Sequence, residues 1–186
     1  MRSAINIIGY QIGWFACVLG AVYDMLLAGI LLSVFIIFWH IYQAARPRVE
    51  FITLSLAGVV GLIWESALVN ANLISYNYGM VFDDVAPLWI IMLWLLFATT
   101  FNVSLKWLKT RLLMATIFSA VGAPLAFYAG YRLGALDFTN MLSALMAQAV
   151  GYAILVPLLL RFAQNYDGYS HNIIDDQDPL LAGKQR

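Results

Sequence analysis

Glu65 is the only acidic residue well inside a long apolar run of this chain, and its chemistry is that of a carboxyl group in a membrane. Exposure of such a group to hydrocarbon is unfavourable, so Glu65 must face protein or water. There it can hold a proton and donate a hydrogen bond, pair with a cation such as Arg132, or act as an acid or base. A structural and a functional role are both open.

Helical periodicity places Glu65 on a defined face. Because a helix turns about 100° per residue, positions three, four and seven apart lie on one side. Gly58, Gly61 and Glu65 therefore share a stripe that extends to Asn72. Counting 1.5 Å per residue along neighbouring helices gives the depths of further polar residues. The predicted outer cluster of functional polar residues is Glu65, Asn72, Tyr128 and Arg132.

A second polar layer is predicted at a different depth. Asn6, Gln11, Thr99 and Asn102 all fall in the third of their helices nearer to the basic connections. Intramembrane amides commonly hold helices together, each contributing around 1 kcal/mol or less. We therefore interpret this inner layer mainly as interhelical hydrogen bonding, with a ligand role as the alternative.

Known catalytic and metal-binding motifs are absent from the sequence. There is no His-Glu-x-x-His, no Gly-x-Ser-x-Gly, no Walker loop and no His/Cys/Asp cluster with metal spacing. The single cysteine, Cys17, excludes an internal disulfide and a multi-cysteine metal site. We predict no catalytic residue, metal or cofactor; whether the protein is an enzyme stays open, and the sequence favours a non-catalytic one.

Composition assigns the chain to the membrane proteins. It is 63% hydrophobic and 11% charged, and its mean hydropathy is +0.82. Soluble domains average roughly 45–50% apolar and about 25% charged residues. The net charge is zero and no basic patch interleaved with aromatic residues occurs, so a nucleic-acid partner is not expected. Membrane lipids are the expected surroundings.

Six apolar runs are predicted to cross the bilayer, because a hydrocarbon core of about 30 Å needs roughly 17–25 helical residues. The fold class is therefore all-α, a polytopic transmembrane bundle of six helices. A tight turn at Tyr23-Asp24 separates the first two runs. Residues 1–163 form the transmembrane domain and residues 164–186 a flexible polar cytoplasmic tail. The runs are Ala4–Val22, Met25–Ala45, Phe51–Leu73, Ala86–Lys106, Leu112–Tyr131 and Thr139–Phe162.

The basic residues predict the orientation of the bundle. All but Arg132 lie at the N-terminus, in the second and fourth connections, or at the C-terminal end. The positive-inside rule then places both termini in the cytoplasm. The residues that fix this side are Arg2, Arg46, Arg48, Lys106, Lys109, Arg111 and Arg161.

Two helices carry rows of small residues at four-residue spacing, which allow close approach of neighbouring membrane helices. We interpret both rows as packing grooves. They consist of Gly9, Gly13, Cys17 and Ala21 in the first helix, and of Gly122, Ala126, Gly130 and Gly134 in the fifth.

Three segments carry motifs of a known family. They are Asn6, Tyr10-Gln11, Trp14, Cys17-Val18 and Gly20; then Pro87-Leu88-Trp89, Trp94, Phe97-Ala98, Thr100, Asn102 and Ser104; then Gly122, Pro124, Tyr128, Gly130 and Leu133-Gly134. In these the chain resembles a group of small bacterial inner-membrane proteins known only as a domain of unknown function. The resemblance implies a multi-pass inner-membrane fold. It also implies a link to envelope lipids, since genes of the family often neighbour those of lipid-modifying methyltransferases and flavoenzymes.

Three functional hypotheses follow. The first is a non-catalytic accessory of envelope or lipid metabolism, with an envelope or lipid-modifying enzyme as partner. The second is a small transporter or proton-coupled carrier centred on Glu65. The third is an intramembrane lipid-modifying enzyme in which Glu65 or Tyr128 acts as acid or base.

Overall fold

The fold is a six-helix bundle, described for residues 2–170 by a computed structural model. The predicted all-α class is confirmed. The helices are α1 (Arg2–Val22), α2 (Leu26–Tyr42), α3 (Pro47–Asn70), α4 (Leu88–Ala98), α5 (Leu112–Arg132) and α6 (Met141–Asn165), and a short 3-10 turn covers Lys106–Leu108.

Local sequence explains where several helices begin and end. α1 and α2 are separated at the predicted turn, where Asp24 has a φ of 58°. α3 starts at Pro47, four residues before the predicted Phe51, because proline suits the first turn of a helix, where its missing N–H costs nothing. This earlier start brings Glu50 into the helix.

Four helices, α1, α3, α5 and α6, are long and apolar enough to cross a membrane, whereas α2 and α4 are shorter. The fourth predicted run spans Ala86–Lys106, but its helix covers only Leu88–Ala98. The hydroxyl groups of Thr99 and Thr100 donate to the carbonyl groups of Leu96 and Phe97, both at 2.6 Å. These side-chain hydrogen bonds stabilise turns, and the α-helix does not continue beyond Ala98.

The segment after α4 is irregular yet buried. Thr99, Thr100, Phe101 and Asn102 are each at most 3% exposed. Irregular backbone at membrane depth is tolerated only where protein covers it, because lipid offers no hydrogen bonds. The residues around this segment must therefore satisfy its polar groups.

Two short strands join the connections at the other end of the bundle. β1 (Ile74–Tyr76) pairs antiparallel with β2 (Leu136–Phe138), and Tyr76 lies opposite Leu136. Neither strand was predicted, since three residues are too few to establish an alternating pattern. The pairing ties the α3–α4 connection to the α5–α6 connection.

The helices form two packed groups. α4 packs against α1, α2 and α3, while α5 packs mainly on α6, which also contacts α3. α1 and α2 pack closely at Gly29, where an added Cβ would lie 2.3 Å from the carbonyl oxygen of Ala16. In the predicted small-residue rows, Gly13 lies against Leu96, but Gly122 has no atom within 4 Å of an added Cβ. The row of α5 is therefore not a closed packing groove at Gly122.

The described residues that follow position 163, the predicted end of the transmembrane domain, still pack on the bundle. α6 continues to Asn165, and the next residues fold back against α3, so that Asp167 is 6% exposed. The backbone N–H of Arg46 donates to the carbonyl of Gly168 at 2.8 Å. Residues up to Ser170 thus belong to the bundle, and the rest of the predicted tail, 171–186, lies outside the described residues.

Candidate functional site

Glu65 is fully buried and accepts four hydrogen bonds from side chains. Its Oε1 accepts from the indole of Trp94 at 3.1 Å and the hydroxyl of Tyr152 at 2.9 Å. Its Oε2 accepts from the hydroxyl of Tyr76 at 3.0 Å and the amide of Gln148 at 3.2 Å. The carboxylate therefore joins α3, β1, α4 and α6 at one point.

Two glycines make room for the large donors. Gly61, one turn before Glu65, faces the ring of Trp94, whose Cγ would lie 2.2 Å from an added Cβ. On α6, Gly151 lies under the ring of Trp64, at 2.0 Å from Cζ2 to an added Cβ. The indole of Trp64 also donates to Gln148 at 3.2 Å, which orients the amide toward Glu65.

The Glu65 site is held by neutral donors. Within residues 2–170, no lysine, arginine or histidine bonds to this carboxylate. Burial, together with the nearby Glu65 charge, raises the pKa of Tyr76 well above its usual range, so this hydroxyl stays a donor. Four donors on two oxygens match the acceptor capacity of an ionised carboxylate.

The other members of the predicted outer cluster lie elsewhere. Asn72 follows the end of α3 and has a φ of 52°. Arg132 donates to the hydroxyl of Tyr128 at 3.3 Å, on an exposed face of α5. None of these three residues is a hydrogen-bond partner of Glu65 within the described chain. The sequence prediction groups these residues with Glu65 by their depth along the helices. It does not contain which sides of neighbouring helices face each other.

A cavity of about 330 Å³ lies between α1, α4, α5 and α6. Its lining is mostly apolar and aromatic, and it includes Trp94 and Tyr152. These two residues thus contact the cavity on one side and Glu65 on the other, while Glu65 itself does not line it. The rings of Trp94 and Tyr152 contact each other at an interplanar angle of 36°, with centroids 4.7 Å apart, and together they cover the carboxylate.

The predicted inner layer is divided between three places. Asn6 donates to the carbonyl of Thr99 at 3.1 Å and accepts from Ser104 at 2.6 Å, so it holds the irregular segment to α1. Gln11 is exposed and lines the cavity. Asn102 belongs to a separate network around a second buried carboxylate.

That second carboxylate, Glu50, was not among the sequence-predicted site residues. It is fully buried and accepts from His40 at 2.7 Å, Asn102 at 2.6 Å and the backbone N–H of Gly168 at 3.2 Å. In the sequence, Glu50 directly precedes the third predicted apolar run, Phe51–Leu73. Its position one turn into a helix that begins with Pro47 was the available signal.

Lys109 completes this second network. Its ammonium donates to Asp167 and to the carbonyl of Ala163, both at 3.0 Å, and also to Asn102. Burial lowers the pKa of Lys109, and the charges of Asp167 and Glu50 oppose that effect. Two carboxylates, an ammonium and an imidazole thus lie buried in one network, which residues 166–170 cover. Within residues 2–170, no group of three or more His, Cys, Asp or Glu side chains is placed to hold a metal ion.

Tyr169 contacts this network at His40, and its titration is expected to change stability at alkaline pH. Its hydroxyl donates to the carbonyl of His40 at 2.5 Å, and burial, assisted by the charge of Glu50 and opposed by Arg2, raises its pKa. A tyrosine whose folded pKa exceeds its unfolded value of about 10 contributes stability below that pH and loses it as the pH rises further. We expect the stability advantage of the wild type over Tyr169→Phe to shrink above about pH 10. Paired thermal unfolding of the two proteins from pH 8 upward measures this; an advantage that grew with pH would contradict it.

Comparison with known proteins identifies a family for the chain but no activity. Residues 3–158 match the family model described as protein of unknown function, DUF2878. No curated protein and no solved structure matches the chain.

Proposed function

Because the chain belongs to the DUF2878 family of unknown function, we propose a role for it from geometry. It is a non-catalytic integral protein of the bacterial inner membrane that holds the apolar part of a lipid, in support of an envelope or lipid-modifying pathway. A lipid-modifying enzyme is its proposed partner. The observation that carries this proposal is the cavity between α1, α4, α5 and α6.

The size and lining of the cavity favour an apolar ligand. Its volume of about 330 Å³ falls within the roughly 300–1,000 Å³ of small-molecule sites. Aromatic rings supply much of its wall, and Ile7 and Phe118 at its edge are 48% exposed each. In a bilayer such an edge faces acyl chains, so a lipid chain can enter from the side.

The state of Glu65 supports a non-catalytic role. A general acid or base must come within hydrogen-bond reach of the proton that it transfers. Both oxygens of Glu65 are already occupied by two donors each, and Trp94 and Tyr152 separate them from the cavity. In this arrangement the carboxylate stabilises the cavity wall.

Filling the cavity tests the proposal. Gly122 lines the cavity and an added Cβ meets nothing within 4 Å, so Gly122→Phe places a ring where the ligand would lie. Lipid retained by purified protein, counted by native mass spectrometry after delipidation, should fall about tenfold or more, a loss of roughly 1.4 kcal/mol. Gly122→Val should give a smaller decrease.

The matched control is the neighbouring residue of the same helix. Val121 is 55% exposed and does not line the cavity, so Val121→Phe adds the same ring to the outer face. This variant should retain lipid as the wild type does. Equal retention by Gly122→Phe and the wild type, with both proteins monodisperse, would refute a lipid in this cavity.

A proton-coupled carrier centred on Glu65 is the second candidate. It is favoured by one observation, that Trp94 and Tyr152 both bond to Glu65 and both line the cavity. A proton on the carboxylate would change these bonds and thereby the cavity wall. Uptake of a solute into proteoliposomes that depends on a pH gradient and is lost in Glu65→Gln would favour the carrier.

A further inference from the structure

The cavity has a row of polar groups on one wall. Tyr10, Gln11 and Trp14 lie one and four positions apart on α1, and all three line the cavity. Within residues 2–170, the one buried side-chain nitrogen or oxygen that lacks a hydrogen-bond partner is Arg46 Nε. The Tyr10 hydroxyl and the Trp14 indole nitrogen also have no hydrogen-bond partner in that part of the chain. Since neither is a buried unpaired atom, both remain accessible from the cavity. Gln11 is exposed as well.

The remaining polar groups of the lining are already used. Thr100, Ser104 and Ser119 each donate to a protein oxygen, as do Trp94 and Tyr152. The bonds are Thr100 to Phe97 at 2.6 Å, Ser104 to Asn6 at 2.6 Å, Ser119 to the Tyr152 carbonyl at 2.9 Å, and the two bonds to Glu65 given above. The side-chain hydrogen-bond donors of the cavity that are still available thus lie on α1.

The charge of the lining restricts the ligand further. Among the described residues that line the cavity there is no lysine, arginine, histidine, aspartate or glutamate. Burying a charged headgroup without a counter-charge is strongly unfavourable. A phenol, an amide and an indole all donate hydrogen bonds, so they suit a neutral oxygen acceptor.

We propose that the ligand is an uncharged lipid with a carbonyl or hydroxyl oxygen, which Tyr10, Gln11 and Trp14 bind while its chain lies against α4 and α5. This inference rests on the proposed lipid-holding function and specifies its ligand class. Acylglycerols and prenyl quinones share the required chemistry.

Four probes separate these ligands. Delipidated full-length protein in detergent is incubated with dioleoylglycerol, a short-tailed prenyl quinone, squalene or dioleoylphosphatidylglycerol, and affinities are compared by native mass spectrometry. We expect dioleoylglycerol or the quinone to bind more tightly than squalene, which lacks oxygen, and than the anionic phospholipid. The tighter of the two oxygen-bearing probes identifies the source of the oxygen.

Conservative variants test the polar row. Tyr10→Phe and Gln11→Leu should each lower the affinity for the oxygen-bearing probe about fivefold, because one net hydrogen bond of about 1 kcal/mol is lost. Squalene binding should not change. Tyr128→Phe is the matched control, because its hydroxyl bonds to Arg132 outside the cavity.

The two proposals fail in different ways. If Gly122→Phe weakens every probe while Tyr10→Phe and Gln11→Leu weaken none, the ligand class is wrong and the lipid cavity stands. Tighter binding of phosphatidylglycerol than of either oxygen-bearing neutral probe would also overturn the ligand class. If Gly122→Phe leaves all probes unchanged, both proposals are refuted.

Discussion

A Glu65→Leu variant is expected to lose most of its folded population. The substitution removes the common acceptor of Tyr76, Trp94, Gln148 and Tyr152. Each buried donor left unsatisfied costs about 1–3 kcal/mol, against a total stability of about 5–15 kcal/mol. Fluorescence-detected size-exclusion chromatography of detergent extracts, followed by thermal unfolding of any monodisperse fraction, measures the loss.

Glu65→Gln should give an intermediate result. Its amide keeps one acceptor oxygen and turns an N–H₂ group toward two of the four donors. Asp137→Asn is the control, since Asp137 is exposed and accepts one bond, from Asn77 at 3.0 Å. A Glu65→Leu protein that unfolds at the same temperature as Asp137→Asn would show that the carboxylate does not hold the four elements together.

Gly29→Ala is expected to separate α1 from α2. An added methyl group would lie 2.3 Å from the carbonyl oxygen of Ala16 and 3.2 Å from Cα of Cys17, and backbone atoms cannot rotate away as a side chain can. Overpacking of this kind costs typically 1–3 kcal/mol, occasionally more. The carbonyl of Gly29 also accepts from Ser33 at 2.8 Å, so the displacement reaches the buried hydroxyl. The measurement is the midpoint of thermal unfolding in detergent.

Gly122→Ala is the matched control for Gly29→Ala. The same methyl group there meets nothing within 4 Å. Because alanine favours a helix over glycine by roughly 0.5–1 kcal/mol, this variant should be as stable as the wild type or slightly more. Equal melting of the two alanine variants would mean that the α1–α2 contact is looser than the structure indicates.

The burial of Glu65 could be predicted, and so could the face on which it lies. Helical periodicity relates positions within one helix, and Gly58, Gly61 and Glu65 are all buried as that rule requires. The cost of exposing a carboxylate to lipid then requires protein around it. Both arguments depend only on local sequence and solvent.

The partners of Glu65 could not be predicted in this way. Tyr76 reaches it from a three-residue strand, and Trp94 does so because Gly61 leaves room for its ring. Which helix lies opposite is a tertiary property that periodicity does not contain. One signal was available, since Gln148 and Tyr152 are four residues apart within the apolar run of α6 and so share a face.

The Glu50 network was missed for a different reason. Hydropathy treats charged residues near the ends of apolar runs as interfacial, and Glu50, Lys109 and Asp167 all lie in such places. All three are buried because the chain folds back after α6 and covers them. The same folding back explains why α6 and its following residues extend beyond the predicted boundary.

The shortness of α4 has a consequence for biosynthesis. At 11 residues and 1.5 Å per residue it reaches about half of a 30 Å hydrocarbon core, so it is poorly suited to enter the bilayer alone. Its main neighbours, α1, α2 and α3, all precede it in the chain. A nascent polypeptide that has emerged through residue 111 therefore already contains the three helices against which α4 packs. At that stage Glu65 still lacks its two donors from α6, Gln148 and Tyr152. The hydrogen bonds that these residues form with Glu65 then stabilise the docking of the α5–α6 hairpin on α3.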